Sequence, residues 1–367
     1  MTGEGVAPGS IVVLQTTIPD YRERFFVALA DRLGARLVVL AGDEDWYFKH
    51  APGVPYVHTR NHFVVRRQLL WQSGAVRQLV RADVAVVGLN PRLLTGWLAL
   101  ALRRLLGRRT VLWGHAWPRH GAASRTDRIR NIMRQLADTV IVYTETEAEQ
   151  VRSSSRRADV VAAPNALYPE RDLVPAEPSD GRTRSIVFVG RLTESKKPGL
   201  LLDAFRIAAP ELPADVRLTF AGDGPLRAEL EARAAGNGLQ GRVTFLGHVS
   251  SLDELRRLYA GAIASASPGY GGLSVIQSLG FGVPMLIARD EPHAPEIEAA
   301  IENHNVVMFE GDRPDVLAMA LVDVVGERER WLARRAEISE GIRARYSIET
   351  MVDAFVRGLR IDGEAVA

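Results

Sequence analysis

The chain has 367 residues and a net charge of +2, with 47% hydrophobic and 25% charged residues. This balance is typical of a soluble globular protein and excludes a disordered or fibrous chain. The length exceeds one typical hydrophobic core and suits two domains. The absence of cysteine excludes disulfide bonds and thiolate metal sites.

Neither the N-terminal segment nor the longest apolar stretch predicts insertion into a membrane. Residues 1–10 lack the basic segment and the apolar run of a secretory signal. The longest apolar stretch with helical character, residues 93–106, is interrupted by Arg103 and Arg104 and is shorter than the ~20 residues that a span requires. We therefore expect a cytoplasmic protein without a transmembrane helix.

Basic residues are concentrated in the first half of the chain. Residues 1–172 carry a net charge of +8 and residues 173–367 a net charge of −6. A basic half favours an anionic partner, such as a membrane surface, a phospholipid-linked acceptor or an anionic glycan. An arginine-rich proteome explains the pattern equally well, because 23 of the 24 basic residues in this half are arginines.

In the first half, short β-branched runs alternate with segments long enough for helices, which is typical of parallel βαβ units. Thr144 and Glu147 form a capping box and predict the start of a helix. The predicted strands of this half are residues 11–14, 37–40, 84–87, 110–112, 140–142 and 160–163.

Residues 171–184 interrupt this alternation with two prolines, a glycine and several charges, which indicates a linker. A second series of strands and helices follows it. Pro198 suits the first turn of a helix, and Ser251 with Glu254 forms another capping box. The predicted strands of this half are residues 185–189, 217–220, 242–245, 262–266, 284–287 and 305–309.

These patterns predict two doubly wound α/β domains without an internal sequence repeat. We assign residues 1–172 to the first domain, 173–184 to the linker, 185–346 to the second domain and 347–367 to a C-terminal helix. Further helices are predicted over residues 315–345 and 348–359, with a bend at residues 345–347. Ligands bind beyond the carboxyl ends of parallel strands, so a cleft between the two domains is the expected site.

Two βα connections of the second domain carry residue types suited to phosphate. The strand that ends at Gly190 is followed by Arg191 and Lys197 and by a helix N-terminus, a combination that can neutralise a pyrophosphate. A glycine-rich segment, residues 267–284, offers the amides of Gly271, Gly272 and Leu273 as a phosphate cradle. Read singly, the first segment is better explained as a solvated basic turn. The second is explained equally well as an ordinary tight connection.

Taken together, the segments 186–198, 221–225, 245–249 and 267–284 resemble the C-terminal domain of the retaining GT-B family of bacterial glycosyltransferases ("group 1"). The resemblance covers nearly all of residues 185–325, and Pro295, Glu296 and Asn305 extend it. The first half is similar to sugar-polymer transferases of that family at residues 21–22, 113–115 and 164–165. The resemblance implies a GT-B fold, with two Rossmann-like domains facing across a cleft and the last helix returning to the N-terminal domain.

The resemblance also implies roles for single residues. Arg191 and Lys197 match the diphosphate-binding pair, and His115 matches a histidine that reaches the transferred sugar, although a lone histidine is often a packing residue. Val249 matches a position at the nucleobase. The donor-binding positions are Gly190, Val249, Gly271, Gly272, Leu273, Gln277 and Glu296, and the acceptor-side positions are Tyr21 and Arg22.

One departure from the family concerns two glutamates of the glycine-rich segment, whose positions are Gly269 and Gln277 here. Gln277 can still accept a hydroxyl proton from a ribose, but without charge assistance. Gly269 cannot contact the sugar of the donor. Glu296 and His293 are candidates for the missing polar contact.

The implied activity is transfer of a sugar from a nucleoside-diphosphate sugar to a hydroxyl, with retention and without a metal or other cofactor. The acceptor would be a glycan, a lipid-linked glycan or a small molecule, and peripheral contact with the inner membrane face is compatible with the basic half; no nucleic-acid partner is implied. A nucleotide-sugar epimerase and a non-catalytic nucleotide-sugar binder are the alternatives. Asp43, Glu44 and Asp45 are read as a solvated acidic turn rather than a metal site.

Overall fold

The computed structural model describes residues 9–44, 53–117, 125–154, 158–177, 184–236 and 238–361. The chain forms two compact units. The N-terminal unit comprises Met1–Leu167 and Ile348–Ala367, and the C-terminal unit comprises Tyr168–Ser347. The first crossing between them thus lies at Leu167, five residues before the boundary drawn from the sequence.

The N-terminal unit is built on a parallel sheet of seven strands, in the order β3-β2-β1-β6-β7-β8-β9. The central strand β1 is buried along its whole length, as expected for a parallel strand covered on both faces. The strands of this unit are β1 (Ile11–Leu14), β2 (Leu37–Ala41), β3 (Val57–His58), β4 (Arg60–Val64), β5 (Leu69–Ser73), β6 (Val84–Gly88), β7 (Thr110–Trp113), β8 (Thr139–Val142) and β9 (Asp159–Ala162).

The antiparallel hairpin of β4 and β5 forms a separate two-stranded sheet, which the sequence did not predict. Short hairpin turns are usually marked by glycine or asparagine. Here the turn contains Val65, Arg66 and Arg67, all with positive φ, at 50°, 52° and 63°. The turn therefore carries none of the residues by which a hairpin is normally recognised.

Helices cover both faces of the seven-stranded sheet and bury two apolar clusters against it. The helix over the apolar stretch 93–106 packs within this unit. Its Arg103 is fully buried and donates to the carbonyl oxygens of Leu79 and Ala82. The helices that precede the linker are α1 (Glu23–Leu33), α2 (Ala75–Arg81), α3 (Leu94–Leu105), α4 (Arg125–Leu136) and α5 (Glu145–Ser154).

The C-terminal unit contains a parallel sheet of six strands in the order β12-β11-β10-β13-β14-β15. All predicted strands of both halves are confirmed, with ends that differ by no more than two residues. The strands of this unit are β10 (Ser185–Val189), β11 (Arg217–Ala221), β12 (Val243–Gly247), β13 (Ala262–Ser267), β14 (Met285–Ala288) and β15 (Val306–Phe309).

The helices after the linker alternate with these strands and then continue to the C-terminus. The long segment predicted over residues 315–345 is divided into three helices. The helices are α6 (Pro198–Ala208), α7 (Arg227–Gly236), α8 (Leu252–Ala260), α9 (Leu273–Gly280), α10 (Pro314–Gly326), α11 (Arg328–Ala333), α12 (Arg335–Tyr346) and α13 (Ile348–Leu359).

The last helix, α13, belongs to the N-terminal unit. It packs against α1, β8 and β9, and Phe355 joins Phe25 and Trp113 in one aromatic cluster, with ring centroids 5.3 and 4.8 Å from the phenyl ring of Phe355. Gly358 permits this close approach, since a Cβ atom there would lie 2.7 Å from the side chain of Ile141.

The two predicted capping boxes have different outcomes. The Thr144 hydroxyl accepts the N–H of Glu147 at 3.0 Å, so the first cap is confirmed. The Glu147 carboxylate accepts the N–H groups of Tyr143 and Ala116, both at 3.1 Å. At α8, Ser251 occupies the cap position, but its side chain makes no capping hydrogen bond, so that part of the second prediction is wrong.

Candidate functional site

Two connections meet where the strand order of the C-terminal unit reverses, between the neighbouring strands β10 and β13. Ligands of open parallel sheets bind at such a point, beyond the carboxyl ends of the strands. The loops that follow β10 and β13 are joined, because the Tyr270 N–H donates to the Ser195 carbonyl at 2.8 Å. The Lys196 ammonium also donates to the Tyr270 carbonyl, at 2.6 Å. The two segments selected for phosphate binding therefore form one structural element.

Glycines allow a third segment, residues 221–225, to pack against the loop after β10. A Cβ atom on Gly222 would lie 1.8 Å from the Gly190 carbonyl oxygen. A Cβ atom on Gly224 would lie 2.4 Å from the Leu192 carbonyl oxygen. Real atoms cannot approach so closely, so the glycines of this turn are required by packing, and they hold the backbone at Gly190 in place.

The same argument explains the departure at position 269. A Cβ atom on Gly269 would lie 2.5 Å from the Ser195 carbonyl oxygen and 2.6 Å from the Lys196 carbonyl carbon. Because both neighbours are backbone, no rotamer change can make room for a side chain. A glutamate therefore does not fit between these two loops as they are arranged here.

The two cations chosen from the sequence have different surroundings. Arg191 is exposed, and its guanidinium has no hydrogen bond or ion pair within the described part of the chain. Lys197 is paired with the carboxylates of Glu291 and Asp312. Partial burial lowers the pKa of Lys197, but the hydrogen bonds and charges of the two carboxylates outweigh it, so the pKa lies above its ordinary value.

The glycine-rich loop does not leave all three of its selected amides available. The Gly271 N–H donates to Nδ1 of His293 at 2.8 Å, so this amide is not free as the sequence suggested. Gly272 is the N-cap residue of α9, and Leu273 is the first residue of the helix. The N–H groups of Gly272 and Leu273 have no acceptor among the residues that the structure describes, and they remain candidates for phosphate.

Gln277 lies on α9 between two tyrosines of its own unit. Its amide nitrogen donates to the Tyr168 hydroxyl at 2.7 Å, and its amide oxygen accepts the Tyr259 hydroxyl at 3.2 Å. Burial raises the pKa of Tyr259 well above its ordinary value, so this hydroxyl stays protonated. An amide supplies both a donor and an acceptor at this position, whereas a carboxylate would supply acceptors alone.

Two further predicted donor-binding residues flank these loops. Glu296 is buried in the 3₁₀ turn Pro295–Ala299. Asn305 fixes the end of this segment, since its side chain accepts the Ile301 N–H at 2.7 Å and donates to the Ala299 carbonyl at 2.9 Å. Val249 is half-buried in the loop after β12. Glu296 and Val249 thus lie on the same unit as the phosphate-type loops.

The N-terminal unit has its own cavity of about 100 Å³, where its strand order reverses between β1 and β6. The lining residues lie at or after the carboxyl ends of β1, β6, β7 and β8. The lining residues are Leu14, Gln15, Thr16, Gly88, Asn90, Leu93, Trp113 and Tyr143. The cavity therefore occupies the position at which a ligand of this sheet is expected.

The predicted acceptor-side residue Arg22 supports this cavity from within the protein. Its guanidinium is buried, lies 4.3 Å from the centroid of the Trp113 ring and donates to the Tyr143 hydroxyl at 2.7 Å and to the Asn165 side chain at 3.1 Å. Tyr21 is half-buried beside it. Burial raises the pKa of Tyr143 to about 12, so the phenol is protonated at neutral pH.

His115 follows β7 and adjoins one lining residue of the cavity. Its ring centroid lies 4.6 Å from that of Tyr143, and its Nδ1 lies 4.0 Å from the Glu147 carboxylate. The side chain is 48% exposed, so the ring is not an internal packing residue. Arg119 and His120, its neighbours in sequence, lie outside the described residues.

Several site residues were missed by reading the sequence. Gln15, Asn90 and Tyr143 line the cavity, and Glu291 contacts Lys197. The cavity residues share one signal, because each lies at or just beyond the end of a predicted strand. Glu291 also follows a predicted strand, but nothing near it in the sequence indicates its contact with Lys197, which is 94 positions away.

The described residues contain neither a cluster of metal ligands nor a helix that could cross a membrane. In the described segments of residues 9–361, no three His, Asp or Glu side chains are grouped so that they could hold a metal ion. In the acidic turn, Asp43 contacts His58 and Glu44 contacts Arg67, while Asp45 lies outside the described residues. No helix in this part of the chain has the length and apolar character needed to cross a bilayer.

The segment that carries the joined loops matches a known protein family. Residues 183–327 match the sequence profile of the family described as glycosyl transferases group 1. This range includes every donor-side residue named above, from Gly190 to Glu296.

Two named relatives are about 30% identical to this chain over the residues that match. A GDP-mannose-dependent alpha-(1-6)-phosphatidylinositol dimannoside mannosyltransferase of Mycobacterium tuberculosis is 31% identical over 182 residues, which are 48% of this chain and 45% of the relative. A D-inositol 3-phosphate glycosyltransferase of Mycolicibacterium vanbaalenii is 30% identical over 260 residues, which are 63% of this chain and 54% of the relative. The matches thus span about half the length of each relative.

Solved structures resemble nearly the whole chain. Anabaena Alr3699/HepE in complex with UDP has a TM-score of 0.72 at 16% identity, with 95% of this chain and 99% of that chain covered. The apo form of the lipopolysaccharide outer core galactosyltransferase WaaB has a TM-score of 0.64 at 14% identity, with the same coverage. The predicted fold class is therefore confirmed: the two parallel-sheet units have the fold of GT-B glycosyltransferases.

Proposed function

Because residues 183–327 belong to the group 1 glycosyl transferases, we propose that this chain moves a sugar from a nucleoside-diphosphate sugar to an acceptor hydroxyl. The observation that carries this proposal is the junction of the loops after β10 and β13 at the reversal point of the C-terminal sheet. These two loops carry Arg191 and Lys197, and they lead to the N–H groups of Gly272 and Leu273.

In this proposal the C-terminal unit stabilises the departing diphosphate. Arg191 and Lys197 supply positive charge, and the N–H groups of Gly272 and Leu273 at the start of α9 supply hydrogen-bond donors. Preorganised donors of this kind act most strongly where charge develops in the transition state. Reaction with retention, by attack on the face from which the diphosphate leaves, requires no nucleophilic side chain, and the phosphate oxygen takes the acceptor's proton.

The nucleoside of the donor would contact the residues that flank these loops. Val249 suits a backbone contact to the base, and Gln277 with Glu296 suits the ribose. Gln277 is already bonded to two tyrosine hydroxyls, so it offers the ribose a fixed neutral amide. Such a group gives weaker but less charge-dependent recognition than a carboxylate.

The acceptor would enter the cavity of the N-terminal unit. Arg22 donates to the phenol oxygen of Tyr143, which leaves the phenol proton to donate to another acceptor. The Asn90 side-chain oxygen accepts the Arg92 N–H, which leaves the Asn90 amide protons as donors. With Trp113 and Leu93 as apolar walls, the cavity combines donors and an aromatic surface in the manner of a site for a hydroxylated ring.

The chemistry of the relatives supports a phosphate-bearing or lipid-linked glycan or polyol as acceptor. Their names give a phosphatidylinositol dimannoside and a D-inositol 3-phosphate as the molecules on which they act. The charge of +8 on residues 1–172 favours such an anion. His115, half-exposed beside Tyr143, is proposed to contact the transferred sugar.

The chain is also proposed to touch an anionic membrane surface through the C-terminal end of α3. Leu105 and Leu106 are 83% and 57% exposed there, and Arg104 and Arg108 are exposed beside them. Exposed apolar side chains among arginines bind the interface of anionic bilayers by combining apolar burial with charge attraction.

A thermal-shift panel tests the donor half of the proposal. A ligand that binds only the folded state at 100 times its Kd adds about 2.7 kcal/mol to the free energy of unfolding. We expect one nucleoside diphosphate among UDP, GDP and ADP, and its sugar conjugates, to raise the melting temperature in this way. No shift with any member of the panel would refute donor binding.

A transfer assay tests the reaction. The sugar conjugate that binds is incubated with phosphorylated polyols, lipid-linked glycans and soluble glycosides, and the release of nucleoside diphosphate and the product mass are followed. Replacement of the family's glutamates by Gly269 and Gln277 favours a non-catalytic binder as the second candidate. Donor binding without transfer to any acceptor would support that candidate, and an epimerised sugar without acceptor would indicate an epimerase.

A further inference from the structure

The loop that follows β14, residues 289–294, is fixed at its base to the end of the neighbouring strand β15. The Arg289 N–H donates to the Phe309 carbonyl at 2.8 Å. The Gly311 N–H donates to the Asp290 carboxylate at 2.9 Å. This loop is therefore attached to the sheet independently of the loops after β10 and β13.

From this base the loop holds the Gly271 peptide on both sides. Nδ1 of His293 accepts the Gly271 N–H at 2.8 Å, and the Gly271 carbonyl accepts the Ala294 N–H at 2.8 Å. The imidazole also fills the space beside Gly271, where a Cβ atom would lie 2.9 Å from Nδ1. The course of the chain from Gly271 into α9 thus depends on the residues at 293 and 294.

The partners of His293 fix its protonation state. Nε2 lies 2.6 Å from the Ala288 carbonyl oxygen, which can only accept, so Nε2 carries the proton. Nδ1 faces the Gly271 N–H, which can only donate, so Nδ1 presents its lone pair. The ring is therefore a neutral imidazole with its proton on Nε2. A proton on Nδ1 would place two donors, the Nδ1–H and the Gly271 N–H, against each other.

We propose that His293 is a positioning residue of the diphosphate site, whose neutral ring holds the glycine-rich loop in the form that binds the donor. The inference rests on the proposed function, but it concerns a residue that acts through Gly271 and does not touch the donor. Its consequence is that the affinity for a nucleoside diphosphate depends on the ionisation of one histidine.

The direction of the pH dependence follows from these contacts. Burial lowers the pKa of His293 below its ordinary value; the Ala288 hydrogen bond and the charge of Glu291, in the same loop, raise it, and the charge of Lys196, from the loop after β10, lowers it further. At neutral pH the ring is neutral and the loop is held. Acidification through this pKa protonates Nδ1, breaks the bond to Gly271 and weakens nucleotide binding, by up to about tenfold for each pH unit below the pKa, until the affinity reaches that of the loop without this bond.

The variant His293→Asn tests this directly, because an asparagine oxygen can stand near the position of Nδ1 and does not titrate in this range. The affinity of UDP or GDP, whichever binds the wild type, is measured by calorimetry between pH 5 and pH 8. The ratio of wild-type to variant affinity at each pH cancels the ionisation of the nucleotide's own phosphate. His304→Asn is the matched control, since it removes another histidine of the same unit and should keep the wild-type pH profile.

We expect the ratio of wild-type to His293→Asn affinity to fall on acidification, and His293→Ala to bind weakly at every pH. A ratio that does not change with pH would overturn the proposal. A ratio that rises on acidification would also overturn it, because the imidazolium would then be binding the anion itself.

A second measurement needs no variant and no ligand. Hydrogen exchange is measured on the intact wild-type protein, and a proteolytic fragment that covers residues 268–275 is analysed afterwards. After correction for the intrinsic effect of pH, the Gly271 amide should lose protection below the pKa of His293. Unchanged protection would overturn the hold of His293 on the loop. If the wild type binds no nucleotide, the proposed function fails, while this exchange experiment still decides the role of His293.

Discussion

The contact between the loops after β10 and β13 can be broken by a single methyl group. In Gly269→Ala, the new Cβ atom would lie 2.5 Å from the Ser195 carbonyl oxygen and 2.8 Å from the Cα atom of Lys196. Both neighbours are backbone, so the loops must move apart. Their separation removes the hydrogen bonds of Tyr270 to Ser195 and of Lys196 to Tyr270.

The size of the effect follows from these losses. A neutral hydrogen bond contributes about 1 kcal/mol and a charged one about 2 kcal/mol, and the strain of overpacking costs about 1 to 3 kcal/mol. Movement of the loops relieves part of the strain but breaks the hydrogen bonds, so the two costs do not add in full. We expect the free energy of unfolding to fall by about 3 kcal/mol in total. For a unit of this size, which spans Tyr168–Ser347, that lowers the melting temperature by roughly 6 to 12 °C.

Calorimetric melting and nucleotide titration measure the two consequences. Gly341→Ala is the matched control, because Gly341 lies inside α12 with no atom near the added methyl group, and it should stabilise the helix by about 0.5 to 1 kcal/mol. Gly269→Ala should also bind nucleotide at least ~10-fold more weakly, since the cations and the glycine-rich loop no longer share one position. Unchanged melting together with unchanged affinity would refute the steric argument.

Three other changes test single roles. Arg191→Ala should lower kcat by about 100-fold or more without lowering the melting temperature, since the side chain is exposed; near-normal initial rates would remove its assigned role. Tyr143→Phe should reduce kcat/KM for the acceptor by about tenfold, the loss of one hydrogen bond to the acceptor, and should lower the melting temperature because the hydroxyl also accepts from the buried Arg22; a change in nucleotide affinity instead would contradict an acceptor role. Replacing Leu105 and Leu106 by serine should reduce co-sedimentation with anionic vesicles at low salt, whereas serine at the exposed Met319 of the other unit should not.

The alternation of strands and helices was predictable because it depends on local periodicity. Buried runs such as Ile11–Leu14 are apolar at every position, and the helices between them carry their apolar residues at regular spacing. The hairpin of β4 and β5 was not predictable, because its turn has left-handed residues without glycine. The side chain of Ser251 shows the same limit, since a capping pattern states what can bond and not what does.

The candidate site was predictable where charge or glycine is concentrated in one short segment. The loops at residues 190–197 and 267–272 are of this kind, and their meeting follows from the order of the strands. The partners that adjust these loops could not be found in this way. Glu291 and Asp312 reach Lys197 through tertiary packing from distant positions. His293 was selected from the sequence as a candidate for a polar contact, but its partner, the Gly271 N–H, was not predicted, since no local pattern marks a bond to a backbone amide far along the chain.

These partners change how the charge of the phosphate-type loops should be understood. Three basic residues, Arg191, Lys196 and Lys197, follow β10. Lys197 is paired with two carboxylates, and Lys197 and its two partners together carry a net charge of −1. A cation that is already paired attracts a diphosphate less than a free one, because binding must also displace or repel the carboxylates. Arg191 has no such partner in the described part of the chain, so its guanidinium supplies positive charge that no carboxylate offsets, with the amides of Gly272 and Leu273 as neutral donors of the joined loops.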